Sequence, residues 1–117
     1  MRIYLGSYRL RSHDERFFIS LSNTIVDTWL PIASLGKVVV TVKTIPREEC
    51  SDFVKESISP ITFQRKIIVI HRSSGDVWGR IYLPSKLNRL WRALAECNGK
   101  VDIWIQPPIP TLKKTKP

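Results

Sequence analysis

The clearest structural pattern in the chain lies between Gly79 and Gln106, a segment that reads GRIYLPSKLNRLWRALAECNGKVDIWIQ. Its first residues, Gly79 to Leu83, are rich in β-branched and aromatic side chains, which predicts a short strand that ends at Pro84. From Ser85 the apolar period becomes helical, and Pro and Ser both suit a helix start. One stripe of the predicted helix carries the apolar residues Leu87, Leu90, Trp91, Leu94 and Ala95.

The segments on either side of this helix are predicted to be strands. Asn98-Gly99 supplies residues that tolerate left-handed backbone and so end the helix. Apolar and polar residues then alternate from Val101 to Gln106, which indicates a strand with one buried face. Upstream, the run Arg65 to Ile70 predicts another strand, and Ser73 to Asp76 is a turn. The order is therefore strand, strand, helix, strand.

The first half of the chain repeats this order in a looser form. Strands are predicted for Arg2 to Leu10, Phe17 to Leu21 and Val38 to Val42, with a helix over Ser22 to Ser34. Thr44 to Glu49 is predicted to be a loop that opens a short helix, with the two glutamates in its first turn. A shift of 63 residues superposes the two sets of elements, so we predict an internal duplication.

Length and charge divide the chain further. It has 117 residues, which is one α+β domain, and a formal net charge of +9. Residues 1–62 form a near-neutral half, residues 63–106 a basic half, and residues 107–117 a Pro-rich basic tail. Lys and Arg outnumber Asp and Glu eleven to three after residue 60, but only eight to seven before it. This asymmetry favours a polyanionic partner, of which nucleic acid is the commonest.

Several classes are excluded or disfavoured by composition. No run of about 18 apolar residues is present, which argues against a membrane span, and the charged N-terminus does not resemble a signal peptide. We therefore expect a cytoplasmic protein in which Cys50 and Cys97 are free thiols. The low count of Met, Asn and Gln is typical of a thermophile.

Catalytic chemistry is poorly supported, so the sequence predicts a protein that is not an enzyme and uses no cofactor or metal. Its two histidines, His13 and His71, lack metal-ligand spacing to a cysteine or to each other. A Cys97–His71 pair is the one nucleophilic arrangement the residues allow, and a packed thiol with a strand-end imidazole is the simpler interpretation.

Binding chemistry is better supported, because cations crowd the two strands and the helix of the second half. Arginine offers planar, bidentate donors to phosphates and to guanine edges. Trp78 and Trp104 are predicted to lie on outward faces, where they either cover a subunit interface or stack on bases, with the interface favoured. The predicted nucleic-acid-binding residues are Arg72, Trp78, Arg80, Lys86, Arg89 and Arg92, with Lys113, Lys114 and Lys116 adding sequence-independent attraction.

The segment from His71 to Ile105 resembles the AbrB/SpoVT family of swapped-hairpin DNA-binding domains. The resemblance rests on Gly79 to Arg89, GRIYLPSKLNR, which matches the family pattern G-R-[IV]-x-[IL]-P-x-x-L-x-R. It implies an obligate dimer whose hairpin arginines contact DNA, with Arg80 and Arg89 at family positions and Arg72 one residue from a third. Asn88 stands where the family often has a basic residue. The first Gly of the motif is expected to permit a sharp entry into the strand.

These observations predict a double-stranded DNA-binding protein with a role in transcriptional regulation or antitoxin-like autoregulation. It would act as a homodimer or, if the duplication holds, as an intrachain pseudo-dimer. One alternative is a single-stranded DNA or RNA binder, including a ribosome-associated protein, that stacks bases on Trp78 and Trp104. The other is a basic module that docks an acidic protein.

Overall fold

The protein is an α+β fold built from two four-stranded antiparallel sheets. The computed structural model describes residues 2–22, 24–26 and 36–106. The described strands are β1 (Ile3–Arg9), β2 (Arg11–His13), β3 (Arg16–Leu21), β4 (Val38–Ile45), β5 (Ile61–Arg65), β6 (Ile68–His71), β7 (Val77–Tyr82) and β8 (Lys100–Gln106). The described helices are α1 (Asp52–Glu56) and α2 (Asn88–Glu96), which a 3-10 turn (Ser85–Leu87) precedes, and residues 24–26 are also helical.

The chain passes from one sheet to the other and back. The first sheet has the strand order β1-β8-β4-β5, and the second sheet has the order β2-β3-β7-β6. Leu10 alone separates β1 from β2, and residues 66–67 separate β5 from β6, so each pair is a nearly continuous strand that changes sheet. Both sheets contribute their inner faces to one hydrophobic core, in which Ile19, Ile81 and Ile103 are fully buried.

The strand pairing has an internal symmetry. Exchanging β1, β2, β3 and β4 with β5, β6, β7 and β8 reproduces every pairing in both sheets. The halves meet along β3–β7, where Ile19 faces Ile81, and along β4–β8, where Val42 faces Ile103. The β2–β3 turn holds two residues, Asp14 and Glu15, whereas residues 72–76 join β6 to β7. No single ungapped shift therefore superposes both hairpins, and the shift of 63 residues needs a gap here.

The helix predicted from the apolar stripe is present. Leu90, Trp91 and Leu94 are buried against the core, and the Trp91 Nε1–H donates to the Pro84 carbonyl at 2.9 Å. Asn98 has a φ of 60°, the left-handed conformation that ends a helix, as predicted. In β8 the alternation from Val101 onward also holds, since Val101, Ile103 and Ile105 are buried while the residues between them are partly exposed.

Two local predictions are wrong in their boundaries, and one short strand was not predicted. Arg65 to Ile70 is two strands of different sheets, because the chain bends at Lys66 and Ile67. Thr44 and Ile45 extend β4, and α1 starts only at Asp52, so Glu48 and Glu49 lie in a turn before the helix. The strand β2 was not predicted. It forms because Asp14 and Glu15 adopt positive φ and close a tight turn between β2 and β3.

Gly79 has a packing role instead of the predicted turning role. It lies within β7, and its φ is not among the positive values of the described glycines. A Cβ at this position would lie 2.8 Å from Val26 Cγ2 and 3.2 Å from Ile67 Cγ2. Gly79 is therefore required by the close approach of these two side chains to the strand.

The expectation of two free thiols is wrong, because Cys50 and Cys97 form a disulfide with a Cα–Cα distance of 5.1 Å. The turn that follows β4 and the end of α2 come together, although 47 residues separate the cysteines in sequence. With its sulfur committed to Cys50, Cys97 is not available as a nucleophile for His71. Disulfides are rare in reducing compartments, except in proteins of hyperthermophiles.

Some predictions fall outside the described residues. Apart from Ser22 and the helical residues 24–26, the helix predicted over Ser22 to Ser34 belongs to this group, and so does the tail at residues 107–117. Among the described residues, no helix is long and apolar enough to cross a membrane.

Candidate nucleic-acid interface

The outer face of the second sheet combines arginines with aromatic rings. Directly paired residues of neighbouring strands share a face, so the register assigns each side chain to one side. Phe18 pairs with Tyr82, and Ser20 pairs with Arg80, at positions that alternate with the buried Ile19 and Ile81. The outward positions of the four strands are Arg11, His13, Arg16, Phe18, Ser20, Ile68, Ile70, Trp78, Arg80 and Tyr82.

Guanidinium groups lie over the aromatic rings on this face. The Arg16 Cζ is 4.0 Å from the centroid of the Tyr82 ring, and the Arg80 Cζ is 4.3 Å from that of Phe18. Arg80 also donates from Nη1 to the Tyr82 hydroxyl at 3.2 Å. The two rings are themselves in contact, with centroids 5.4 Å apart. Cation–π contacts thus hold both guanidinium groups on the rings, and a hydrogen bond adds to this for Arg80.

Phe18 shows how completely the arginines cover the rings. It is only 4% exposed, yet it is not part of the hydrophobic core cluster. Its burial therefore comes from its neighbours on the outer face, of which Arg80 and Tyr82 are in direct ring contact. The face presents guanidinium groups to solvent in front of the aromatic rings.

The electrostatic character of this face is uniformly basic. The outward positions of β2, β3, β6 and β7, all of which the structure describes, carry no carboxylate. Asp14 and Glu15 lie in the β2–β3 turn, at the end of the sheet. Four other acidic residues of the first half, Glu48, Glu49, Asp52 and Glu56, are confined to α1 and the turn before it. These carboxylates of the first half therefore lie in turns and in α1, outside the outward positions of the second sheet.

Three of the predicted site residues belong to this face or its border. Arg80 and Trp78 are outward residues of β7. Arg72 follows β6 and places its Cζ 4.7 Å from the centroid of the Trp78 ring. Its loop is closed by hydrogen bonds between Arg72 and Asp76 and between Gly75 and Arg72. The predicted turn therefore positions Arg72 beside the sheet.

The structure places the other predicted residues apart from this face. The Arg89 Cζ lies 4.9 Å from the ring centroid of Phe53 in α1, on the acidic side of the molecule. Arg92 approaches Glu15 of the β2–β3 turn at 3.9 Å. Lys86 is exposed in the 3-10 turn, and the three lysines of the tail lie outside the described residues.

Sequence reasoning missed Arg11 and Arg16, which lie on the outer face beside the predicted residues. The near-zero net charge of the first half concealed them, because its acidic residues are counted in the same total. A finer division would have found the signal, since residues 2–16 contain four arginines. Both residues also sit at the hairpin that the internal symmetry relates to β6–β7.

The outer face of the first sheet is more mixed. Trp104 is on this face, as predicted, with the Tyr4 ring at a centroid distance of 5.3 Å and the Arg2 Cζ at 5.6 Å. The Tyr4 hydroxyl donates to Asp102 at 2.7 Å, so a carboxylate lies within the same patch. Tyr8, further along β1, is half-buried, and this burial, followed by the nearby Tyr4, raises the pKa of its phenol above 10.0.

Comparison of the chain with profiles of known protein families, with curated proteins and with solved structures finds no match. Among its described residues, no group of three or more His, Cys, Asp and Glu side chains is arranged to hold a metal ion.

Proposed function

We propose that this protein binds nucleic acid through the outer face of its second sheet, with double-stranded DNA as the preferred ligand. The observation that carries the proposal is the set of guanidinium groups held on aromatic rings across a face without carboxylates. Preorganised arginines are suited to phosphates and to guanine edges, because little side-chain entropy is lost when they bind.

The cover over the aromatic rings favours duplex over single strand. Single-strand binding uses exposed rings on which bases stack. Phe18 is 4% exposed beneath Arg80, so its ring is not available to a base. The face instead offers cations, which suit the phosphates and groove edges of a duplex.

The symmetry of the strand pairing is what supports an intrachain pseudo-dimer in this proposal. The hairpins β2–β3 and β6–β7 lie side by side, joined through the β3–β7 pair, and each carries arginines on the outer face. Two related hairpins on one surface suit the two-fold symmetry of a duplex. In this proposal one chain supplies both halves of the binding surface, with Arg11 and Arg16 acting beside Arg72 and Arg80.

The proposed role is transcriptional regulation or antitoxin-like autoregulation in the cytoplasm, without catalysis or cofactor. The disulfide is compatible with this location in a thermophile, since intracellular proteins of hyperthermophiles carry disulfides. A contribution of Lys86, Arg89 and Arg92 to nucleic-acid binding remains a prediction, because these residues do not lie on the outer face of the second sheet.

A second candidate function is single-strand binding on the outer face of the first sheet. Tyr4 is 53% exposed there, and it contacts Trp104 beside Arg2, which is a pattern of ring and cation that stacks bases. The neighbouring Asp102 carboxylate disfavours phosphate at this place. This candidate therefore ranks below duplex binding.

The test is an anisotropy titration with labelled random duplex and single-stranded oligonucleotides of equal length. We expect tighter duplex binding, a loss of about tenfold or more for Arg80→Ala, and a smaller loss for Lys114→Ala. Arg47→Gln is the matched control. The Arg47 side chain forms a salt bridge with Glu49, with an N–O distance of 3.5 Å, and Arg47 is not part of the second sheet. Equal losses of duplex affinity in Arg80→Ala and Lys114→Ala would mean that binding depends only on diffuse electrostatic attraction.

Two other outcomes would replace the proposal. A preference for single strands that Tyr4→Ala abolishes would move the function to the first sheet. Failure to bind either oligonucleotide at low salt would exclude both candidates, and would leave the basic face as a docking surface for an acidic protein.

A further inference from the structure

A cleft of about 270 Å³ lies where the chain leaves the first sheet and enters the second. Its walls come from the end of β1, the start of β2 and the adjoining parts of β3, β7 and β8. The lining residues are Ser7, Tyr8, Arg9, Arg11, Ser20, Trp78 and Lys100. This volume is slightly below the range of about 300–1,000 Å³ for small-molecule sites, so it suits a compact group.

The lining of the cleft is strongly basic. Arg9 and Lys100 are directly paired across β1 and β8, and Arg11 follows two residues after Arg9. None of these three cations forms a salt bridge with a residue in the described part of the chain. Like charges directly opposite each other in a sheet are destabilising, and a bound anion would relieve that repulsion.

Neutral hydrogen-bond donors beside the cations are also unused. The Trp78 Nε1–H is buried and has no hydrogen-bond partner among the described residues. The Ser20 hydroxyl likewise has no partner there, whereas the hydroxyls of Ser7 and Tyr8 already donate to Asp102 and to the Leu5 carbonyl. An unpaired buried donor costs free energy, and the Trp78 side chain that carries it lines the cleft beside the accessible Ser20 hydroxyl.

We propose that this cleft binds a phosphate group through Arg9, Arg11 and Lys100, with the Ser20 hydroxyl as a neutral donor and the Trp78 side chain as one wall. A phosphate is compact, multiply charged and purely accepting, which matches the charge, the volume and the unused hydroxyl. Among the described residues, the lining itself holds three cations and no carboxylate, and the nearest carboxylate, that of Asp102, accepts the Ser7 hydroxyl at 2.6 Å. The phosphate comes either from a free nucleotide or from a nucleic-acid backbone, and only the second source rests on the proposed function.

The test follows the indole N–H resonance of Trp78 by nuclear magnetic resonance during titration with inorganic phosphate and with adenosine 5′-monophosphate. Trp78→Phe assigns the resonance, and the other indole signals report that the fold is intact. We expect a saturable shift with both probes, and a loss of affinity of about tenfold or more in the double variant Arg11→Gln plus Lys100→Gln. Arg47→Gln should leave the affinity unchanged.

A shift no larger than that produced by sodium chloride at equal ionic strength would overturn the proposal. So would equal weakening by Arg47→Gln and by the double variant. The same measurements on Arg16→Gln plus Arg80→Gln separate this site from the duplex surface, since that variant should lose duplex binding and keep phosphate binding.

Competition then identifies the source of the phosphate. If adenosine 5′-monophosphate saturates the cleft and leaves duplex affinity unchanged, the ligand is a free nucleotide. If duplex DNA shifts the Trp78 resonance and the nucleotide competes with it, the cleft takes a backbone phosphate. If the wild-type protein binds phosphate but does not bind duplex DNA, the proposed function is refuted and this site still stands.

Discussion

Removing the Cys50–Cys97 disulfide should lower the stability of the protein by an amount that the chain length between the cysteines determines. The bond closes a loop of 47 residues. In the chain-entropy description, the bond lowers the entropy of the unfolded chain. Its removal should therefore lower the free energy of unfolding by about 4 kcal/mol at 25 °C. The unfolding entropy of a domain of 117 residues is roughly 0.25 kcal/mol per degree near its midpoint. Reduction should therefore lower Tm by about 16 °C.

The assay is thermal unfolding followed by circular dichroism, with and without a phosphine reductant. The control is the double variant Cys50→Ala plus Cys97→Ala, in which alanine avoids placing a hydroxyl at the buried position of Cys50. Its Tm should equal that of the reduced wild type and should not respond to the reductant. Detection of two free thiols in the unfolded, unreduced protein would show that the Cys50–Cys97 disulfide is not formed. A reduction effect below about 4 °C, equivalent to about 1 kcal/mol, would contradict the predicted destabilisation.

Three further predictions concern packing, titration and the helix cations. Gly79→Ala should cost about 1–3 kcal/mol by urea unfolding, because the added Cβ meets Val26 at 2.8 Å and Ile67 at 3.2 Å; an unchanged midpoint would mean the strand is free to shift. Because the pKa of Tyr8 is raised in the folded protein, its contribution to the free energy of unfolding is complete below pH 10 and is lost as pH rises further. The difference in free energy of unfolding between wild type and Tyr8→Phe should therefore narrow above pH 10, and a difference that does not depend on pH would contradict this. Arg89→Gln should change duplex affinity less than Arg80→Gln, and equal losses would bring α2 into the interface.

The second half of the fold was predictable because its signals are local. The change of period at Ser85, the stop at Asn98 and the alternation from Val101 each depend on neighbouring residues in sequence. The apolar stripe that contains Leu90, Trp91 and Leu94 identified the buried face of α2 correctly.

Features that depend on distant residues were not predictable in this way. A β-branched run such as Arg65 to Ile70 looks the same whether it stays in one sheet or bends between two. A spacing of 47 residues between Cys50 and Cys97 likewise carries no information on pairing. Both outcomes are decided by which strands are neighbours in space.

The candidate site was predicted in part for the same reason. Arg72, Trp78 and Arg80 come from one hairpin, so their proximity was visible in the sequence. Arg11 and Arg16 join them only through the pairing of β3 with β7. Their contribution depends on tertiary structure, and net charge over half the chain averaged it away.

If the arginines of the second sheet bind the phosphates of duplex DNA, the affinity for a duplex should depend steeply on salt concentration. Affinity for a random duplex should be measured across a salt series for wild type and for Arg16→Gln plus Arg80→Gln. With four to six phosphates neutralised, wild-type affinity should fall roughly 10²–10³-fold between 50 and 200 mM salt. The double variant should lower the slope of log affinity against log salt by about 1.8, since each phosphate contact contributes about 0.9. An unchanged slope, or an equal change in Arg47→Gln, would contradict this role of the second-sheet arginines.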